Sequence, residues 1–405
     1  MKTLYNLPKK VKFCSKCLMS NQRPSSIVEY KHDKNRTSAG YLNISSEDLC
    51  DACVIAEQKN RIDWKNREKE LRKILDKHRS KNGDYDCIVP GSGGKDSIFV
   101  AHILKNKFKM NPLTVTWPPI MYTDYGRENF NSWLDLGFDN ISFNQNSFVK
   151  RILTNLSIRN LYHPFQPFIL GQKNFATKIA CKLNIKLIFY GENAAEYGSG
   201  RVKENLNKKM SNEFHSIKNY KNLYLAGEKI NNLLKIKGVK LTDLKSYLPE
   251  DFEIVKRKKI SLYYLGYFLK WTPQEVFYYA INNSNFKVRP FRTQGTYTKY
   301  ASIDDKVDDL HYYTYYIKYG LGRASRDASM EIRNKHLTRE EGMALAKKFD
   351  GEFPNIYFEE IMNFINMKKE EFFTITDKFR SPHLWKKLEK KWKLRHTCNM
   401  DGYND

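Results

Sequence analysis

Eight consecutive residues, Pro90-Gly-Ser-Gly-Gly-Lys-Asp-Ser97, carry the densest chemistry in the chain. An apolar strand pattern over 86–89 leads into them, and a helical pattern with Ile98, Val100, Ala101 and Leu104 leads out. Such a turn offers backbone N–H groups and the positive end of a helix to an anion. Gly91, Gly93 and Gly94 let the main chain approach a phosphate without Cβ collisions, while Ser92 and Ser97 add hydroxyl donors and Lys95 a cation. A Walker A loop would require glycine at 89 and Ser or Thr at 96, where this chain has Val89 and Asp96. A carboxylate there repels a γ-phosphate unless magnesium bridges the two. The expected cleavage therefore lies further in. The loop would hold the departing β,γ-pyrophosphate while attack falls on the α-phosphorus, with Asp96 at the magnesium position.

Two cysteine pairs, Cys14-Ser-Lys-Cys17 and Cys50-Asp-Ala-Cys53, are separated by 32 residues. Four thiolates can close a tetrahedron around zinc, and the binding free energy folds a loop-rich segment that has little core of its own. A structural zinc is expected there, ahead of a catalytic metal or an iron–sulfur cluster, because no ferredoxin-type run adjoins the pairs. Cys87 and Cys181 fall inside a strand pattern and a helix pattern and read as buried thiols.

Ligands of a doubly wound sheet gather at the carboxyl ends of its strands. Trp117 to Asp124 follows the second strand pattern, and Gly191-Glu192-Asn193 follows a later one over 185–190. Gly191 is expected beside the nucleotide. Glu192 would hold magnesium or position the nucleophile, and Asn193 would bond the substrate or cap the next helix. Arg323, Arg326 and Arg333 can supply bidentate contacts to a carboxylate or phosphate. Asp304, Asp305, Asp308 and Asp309 form an acidic cluster able to pair with those arginines or to make a surface network. Tyr297 and Lys299 are lesser candidates.

Hydrophobic periodicity describes the scaffold that must position these residues. A helix is expected over 63–79, then strands over 86–89, 113–117, 141–143 and 185–190, with helices after Gly94, over 127–136, from Phe148 and over 172–183. Strands alternating with helices predict an α/β fold with a parallel, doubly wound sheet and right-handed crossovers. The expected divisions are a cysteine segment over 1–60, a nucleotide-binding α/β domain over 61–200, a basic insertion or lid over 201–260 and a mainly helical region over 261–405. The insertion holds 15 Lys and Arg against 7 acidic residues. Thr272-Pro273-Gln274-Glu275 and Thr338-Arg339-Glu340-Glu341 are helix-start signals. Trp385, Leu388 and Trp392 have the spacing of a last helix.

The 405 residues are 41% hydrophobic, enough for sizeable cores. No apolar run approaches the ~18 to 20 residues of a membrane span, and MKTLYNLPKK has no signal-peptide core, so a cytoplasmic protein without a membrane partner is expected. Seven cysteines suit a reducing compartment. The net charge of +25 implies polyanionic company, although abundant Lys and Asn equally fit an AT-rich genome.

The run Ser92-Gly-Gly-Lys-Asp-Ser97 resembles the PP-loop motif, S-G-G-x-D-S, of the adenine-nucleotide alpha hydrolase superfamily. Taken with the cysteine pairs, the chain resembles the N-acetyl sugar amidotransferase family of O-antigen and flagellin-glycan biosynthesis. That resemblance rests also on Ile62-Asp-Trp, Pro164-Phe-Gln-Pro-Phe-Ile-Leu-Gly-Gln-Lys173, Tyr190-Gly-Glu-Asn193, Gly295-Thr-Tyr-Thr298, Ile317-Lys-Tyr-Gly-Leu-Gly-Arg323 and Asp327-Ala-Ser-Met-Glu-Ile-Arg333. It implies an ATP- and magnesium-dependent enzyme that adenylates an acetamido oxygen of a nucleotide-linked sugar. Ammonia then displaces AMP and leaves an acetamidino group. Catalytic roles fall on Lys95, Asp96 and Glu192, and Gln172 and Lys173 join the arginines at the substrate. The implied partner is a separate glutaminase subunit, HisH-like and accompanied by a HisF-like one, since no glutaminase cysteine is evident here. The alternative is a PP-loop enzyme that thiolates or amidates a tRNA base. It lacks an obvious sulfur-handling cysteine, so nucleic acid is not expected as a partner.

Overall fold

The computed structural model describes residues 1–25, 29–31, 40–191, 207–211, 215–218 and 223–398. Five short strands build its central sheet: β1 (Cys87–Pro90), β2 (Pro112–Thr116), β3 (Asn140–Ser142), β4 (Leu187–Tyr190) and β5 (Ser261–Tyr264). All four pairings are parallel, in the order β3-β2-β1-β4-β5. The α/β class and the parallel sheet are thus as the alternation of patterns predicts, whereas β5 lies inside the 261–405 region expected to be mainly helical, where Leu262 and Tyr263 are buried beside β4.

The strands alternate strictly between two cores, as successive side chains on a pleated strand must. Cys87, Val89, Leu187, Phe189 and Tyr263 face one side, with Ile98, Leu104, Trp133 and Trp271. Ile88, Leu113, Val115, Ile188 and Leu262 face the other, with Val149, Leu153, Leu170 and Ile179. Burial on both faces explains the apolar runs of β1 and β4 at the centre of the sheet, whereas the edge strand β3, Asn140–Ser142, is partly exposed and polar at both ends. The first strand begins at Cys87 rather than Asp86. The Asp86 carboxylate is engaged by the backbone N–H of Ser80 and, at 2.7 Å, of Asn111, which fixes the turn before the strand.

The preceding helices are α1 (Asp51–Lys59) and α2 (Trp64–His78). Asp63 caps α2 by accepting from Asn66 N–H. Between the strands lie α3 (Lys95–His102), α4 (Asp124–Leu134), α5 (Ser147–Leu161) and α6 (Gln166–Leu183). Helix α6 starts well before Gln172, because Pro167 sits favourably in its first turn. In the described part of 201–260, Leu225, Leu233, Leu244, Tyr247 and Val255 are buried in the second core, while Lys229, Lys235, Lys237, Lys240, Lys256 and Arg257 are among its exposed residues.

The C-terminal region is helical, with α7 (Pro273–Asn283), α8 (Asp308–Tyr319), α9 (Arg323–Arg333) and α10 (Arg339–Phe349), followed by Phe358–Ile365 and Lys369–Lys378. Thr272 caps α7, and Thr338 and Glu341 form a reciprocal capping box at α10. The expected last helix is instead an antiparallel hairpin, Trp385–Leu388 paired with Lys391–Leu394. Glu389 and Lys390 take left-handed φ of 47° and 66°, which turns the chain back on itself. Trp385 is held by its Nε1–H donating to the Ile317 carbonyl at 2.8 Å. Among the described residues no helix is long and apolar enough to cross a membrane.

Candidate active site

The glycine-rich loop is the crossover from β1 to α3, at the carboxyl end of the sheet. It is tied to β2 by Gly91 N–H donating to the Val115 carbonyl (2.9 Å) and by the Thr116 hydroxyl donating to the Gly91 carbonyl (2.7 Å). Gly93 has φ +87°, and a Cβ there would lie 2.3 Å from the Asn129 carbonyl oxygen. Gly94 is the N-cap of α3 with no side-chain cap, and a Cβ at 94 would meet nothing within 4 Å. The first-turn amides of α3 therefore carry no capping side chain at a point where the backbone has open space, which suits an anion.

Lys95 and Asp96 pair with each other, Nζ lying 2.6 and 2.8 Å from the two carboxylate oxygens. Ser97 Oγ donates to the Gly94 carbonyl at 2.9 Å and so stiffens the turn. Ser92 Oγ donates to Asp304 Oδ2 at 2.9 Å, which ties the loop to the C-terminal region.

All of these residues face one cavity of about 650 Å³. Gln172 and Lys173 of α6 line it, as do Gly191, the 207–211 segment, and Arg323 and Arg326 of α9. A Cβ on Gly191 would strike the Trp271 ring at 2.7 Å, so glycine is what lets β4 end against that indole. Glu192 and Asn193 lie outside the described residues. Burial draws the Lys173 ammonium down to about 8. Burial also opposes the charge of Arg323, but Asp327 and Tyr312 outweigh it and hold the guanidinium firmly protonated. Its Nε donates to Asp327 Oδ1 at 2.7 Å, and Nη1 donates to the Tyr312 hydroxyl.

Arg333 is placed elsewhere. Its Nη1 donates to Cys17 Sγ at 3.7 Å, and it is absent from the cavity wall. The acidic cluster is likewise committed differently from the expected pairing with these arginines. Asp304 accepts from Ser92, and Asp305 accepts from the backbone N–H groups of Ile120, Met121 and Val307. Asp309 pairs with buried Arg289 at 3.4 Å. Asp308 alone adjoins the arginine wall through the field of Arg323, while burial and its acidic neighbours raise it well above the carboxylate range. Asp305 is pushed up to about 7 by burial, against those backbone hydrogen bonds.

Sequence reasoning missed Asp327, Glu331, Trp271 and His311 as cavity residues. The available signal was spacing, since Asp327 stands four residues after Arg323 on one helix face and could have been read as its partner. Tyr297 hangs in the Leu18 cluster of apolar side chains, away from the cavity wall.

Cys14, Cys17, Cys50 and Cys53 are all fully buried, and their sulfurs lie within 4.8 Å of one another. Cys14 and Cys53 are 3.7 Å apart, and Cys17 and Cys50 are 3.6 Å apart. A tetrahedron with Zn–S bonds of ~2.3 Å has edges of ~3.8 Å, so the four thiols fit a zinc-sized ion. Backbone N–H groups of Cys17 and Cys50 point at Cys14 Sγ, at 3.5 and 3.3 Å, as around a thiolate. The donor set supplies four soft ligands and leaves no open position, the arrangement of a structural metal site.

Residues 294–398 match the family model described as LPS biosynthesis protein WbpG-like, C-terminal domain. The uncharacterized protein MJ1599 of Methanocaldococcus jannaschii is 36% identical over 74 residues, covering 18% of this chain and 26% of that protein. The region of the family match includes α9, so the helix that lends Arg323 and Arg326 to the cavity lies within the segment that is similar to that family model.

Proposed function

We propose that the chain is an ATP-dependent N-acetyl sugar amidotransferase of the PP-loop type, acting in surface-glycan biosynthesis. One juxtaposition carries the reading: a phosphate-binding turn and an arginine wall from the LPS-type segment face the same cavity. The cavity has the size of a small-molecule site.

An amide oxygen is a poor leaving group, so ammonia cannot displace it directly. In the proposed reaction the amide oxygen attacks the α-phosphorus, an O–P bond forms, and the bond to the bridging oxygen breaks to release pyrophosphate. Ammonia then adds to the imidate carbon, one proton is lost, and the C–O bond breaks to release AMP. The chain's residues handle the charge in these steps. The amides of 93–95 and Lys95 receive the departing pyrophosphate, and magnesium held at Asp96 would neutralise it further. Lys95 and Asp96 must exchange their mutual ion pair for these ligands. Arg323 and Arg326 bind the anionic part of the sugar substrate. Lys173, with its lowered pKa, is partly neutral near neutral pH and can take the proton that ammonia gives up. Ammonia would come from a glutaminase subunit in the cytoplasm.

The test is to incubate the protein with ATP, magnesium, an ammonium salt and a panel of nucleotide-linked acetamido sugars. AMP, pyrophosphate and a product with NH in place of O, read by mass spectrometry, are expected. Formation of ADP and phosphate instead would overturn the reading. Lys95→Ala and Asp96→Asn should each cut turnover by about 100-fold or more without changing the melting temperature.

A further inference from the structure

Helix α9 has two working faces. Arg323, Arg326, Asp327, Met330 and Glu331 line the cavity, at the spacing of a single helical stripe. Other positions of the helix, with Arg333 at the far end of the cavity-facing stripe itself, meet the N-terminal segment. Ser329 Oγ accepts the Leu18 N–H at 3.1 Å, Ala328 packs against the Leu18 side chain, and Arg333 Nη1 reaches Cys17 Sγ at 3.7 Å. Leu18 directly follows the second cysteine of the first pair, so every one of these contacts is made by, or next to, a residue of the four-thiol cluster.

The helix is also held from its cavity side, where Ala324 N–H donates to the Gly295 carbonyl at 3.1 Å, Asp327 accepts from the Thr296 hydroxyl at 2.8 Å and Glu331 accepts from Gln274 Nε2 at 2.9 Å. Its N-cap, Gly322, offers no side chain, and its first turn leans on Asp350, which accepts from Ser325 N–H at 3.1 Å. Its rotation about its own axis is set by these contacts together with those of Ala328, Ser329 and Arg333 to the cysteine segment. A rotation or slide there carries Arg323 and Arg326 with it, and bidentate recognition of an anion tolerates little misalignment.

We propose that the four-cysteine centre acts as a positioning device for the anion-binding wall. A metal held by Cys14, Cys17, Cys50 and Cys53 fixes the Cys17–Leu18 backbone. That backbone fixes Ser329 and Arg333, which help set the angle at which Arg323 and Arg326 meet an anionic acetamido sugar. The identity of that ligand rests on the function proposed above, whereas the mechanical link does not. Ser329 and Arg333 are accordingly positioning residues, and neither touches substrate. The phosphate-loop half of the site, held by β1, β2 and Asn129, stands outside this linkage.

The test uses the full chain with excess zinc and the variants Ser329→Ala, Arg333→Ala and Arg333→Lys. Two measurements are made on each: amide hydrogen exchange over 323–333 and over 95–102, and calorimetric affinity for ATP and for UDP-N-acetylglucosamine as the anionic sugar probe. Both alanine variants should exchange about tenfold faster over 323–333 and bind the probe about tenfold more weakly, the lower end of what outer-shell partners of a metal site cost. ATP affinity and exchange over 95–102 should stay within about twofold, and Arg333→Lys should recover part of the loss. Unchanged exchange over 323–333 in both alanine variants overturns the proposal, and so does an equal weakening of ATP and probe. Should the wild-type protein ignore the sugar probe, the proposed substrate class fails, while the exchange data still decide the linkage.

Discussion

Gly93 and Gly94 are neighbours with opposite demands. At Gly93 the backbone is left-handed and a Cβ would press on the Asn129 carbonyl, so Gly93→Ala should destabilise the fold by about 2 kcal/mol or more. At Gly94 a methyl group would enter open space, so Gly94→Ala should cost less than about 1 kcal/mol. It should still weaken ATP binding by crowding the phosphate. Denaturant titration and nucleotide affinity together check the pair, and equal stability losses at both positions would contradict this reading. Lys173 offers a test through pH. Burial lowers its pKa from 10.5 to about 8, so the folded state disfavours the bound proton. The destabilisation is complete below about 8, fades as pH rises through the interval, and is absent above 10.5. Lys173→Met should therefore gain roughly 1 to 3 kcal/mol at neutral pH and progressively less toward pH ~10. A gain of the same size at both pH values would show that burial of the charge is not its source. At this scale the loop residues were legible because each glycine and hydroxyl has a local job, whereas the true placement of Arg333 was not. Nothing in the spacing of a third arginine tells which face of its helix meets a thiol.

Elements were legible in proportion to how local their causes are. Both threonine caps could be read from four-residue signals, and β1 and β4 could be read because two buried faces demand apolar runs, whereas β5, short and followed by helices, was missed. The hairpin over 385–394 was misread because Trp385, Leu388 and Trp392 mimic helical spacing. Its cause is a left-handed Glu389-Lys390 turn, which neither residue type announces. Its lysines 386 and 393 sit directly opposite each other, a like-charged pair that a propensity argument would also have discouraged. The cysteine segment is held by small clusters, with Met19, Leu42, Ala52 and Leu321 around the thiols. Removing the metal with a strong chelator should expose all four thiols to a thiol reagent and open the first fifty or so residues to protease, while the sheet keeps its circular dichroism. Simultaneous loss of the sheet would mean that the segment and the α/β layer fold as one unit.

Over the whole molecule, the cavity is assembled from segments far apart in the chain. The phosphate loop, α6, the 207–211 strip and α9 contribute in turn, and Ser92 meets Asp304 across 212 residues. The loop end of this site could be read from sequence, and the family resemblance pointed to the far wall. The contacts that join them could not be read, because no local pattern encodes which distant carboxylate receives a given serine. The same long reach governs the N-terminal segment. Leu4 N–H donates to Ser381 Oγ at 2.9 Å, Gln22 meets His383 at 3.1 Å, Lys318 donates to Glu29 at 2.7 Å, and Leu18 rests on α9. Residues 4, 22 and 29 thus lie against partners 377, 361 and 289 positions away. During synthesis the thiol pairs emerge before the surface that shelters them exists, and a nascent chain must carry those cysteines exposed until Leu321 and α9 have also been made.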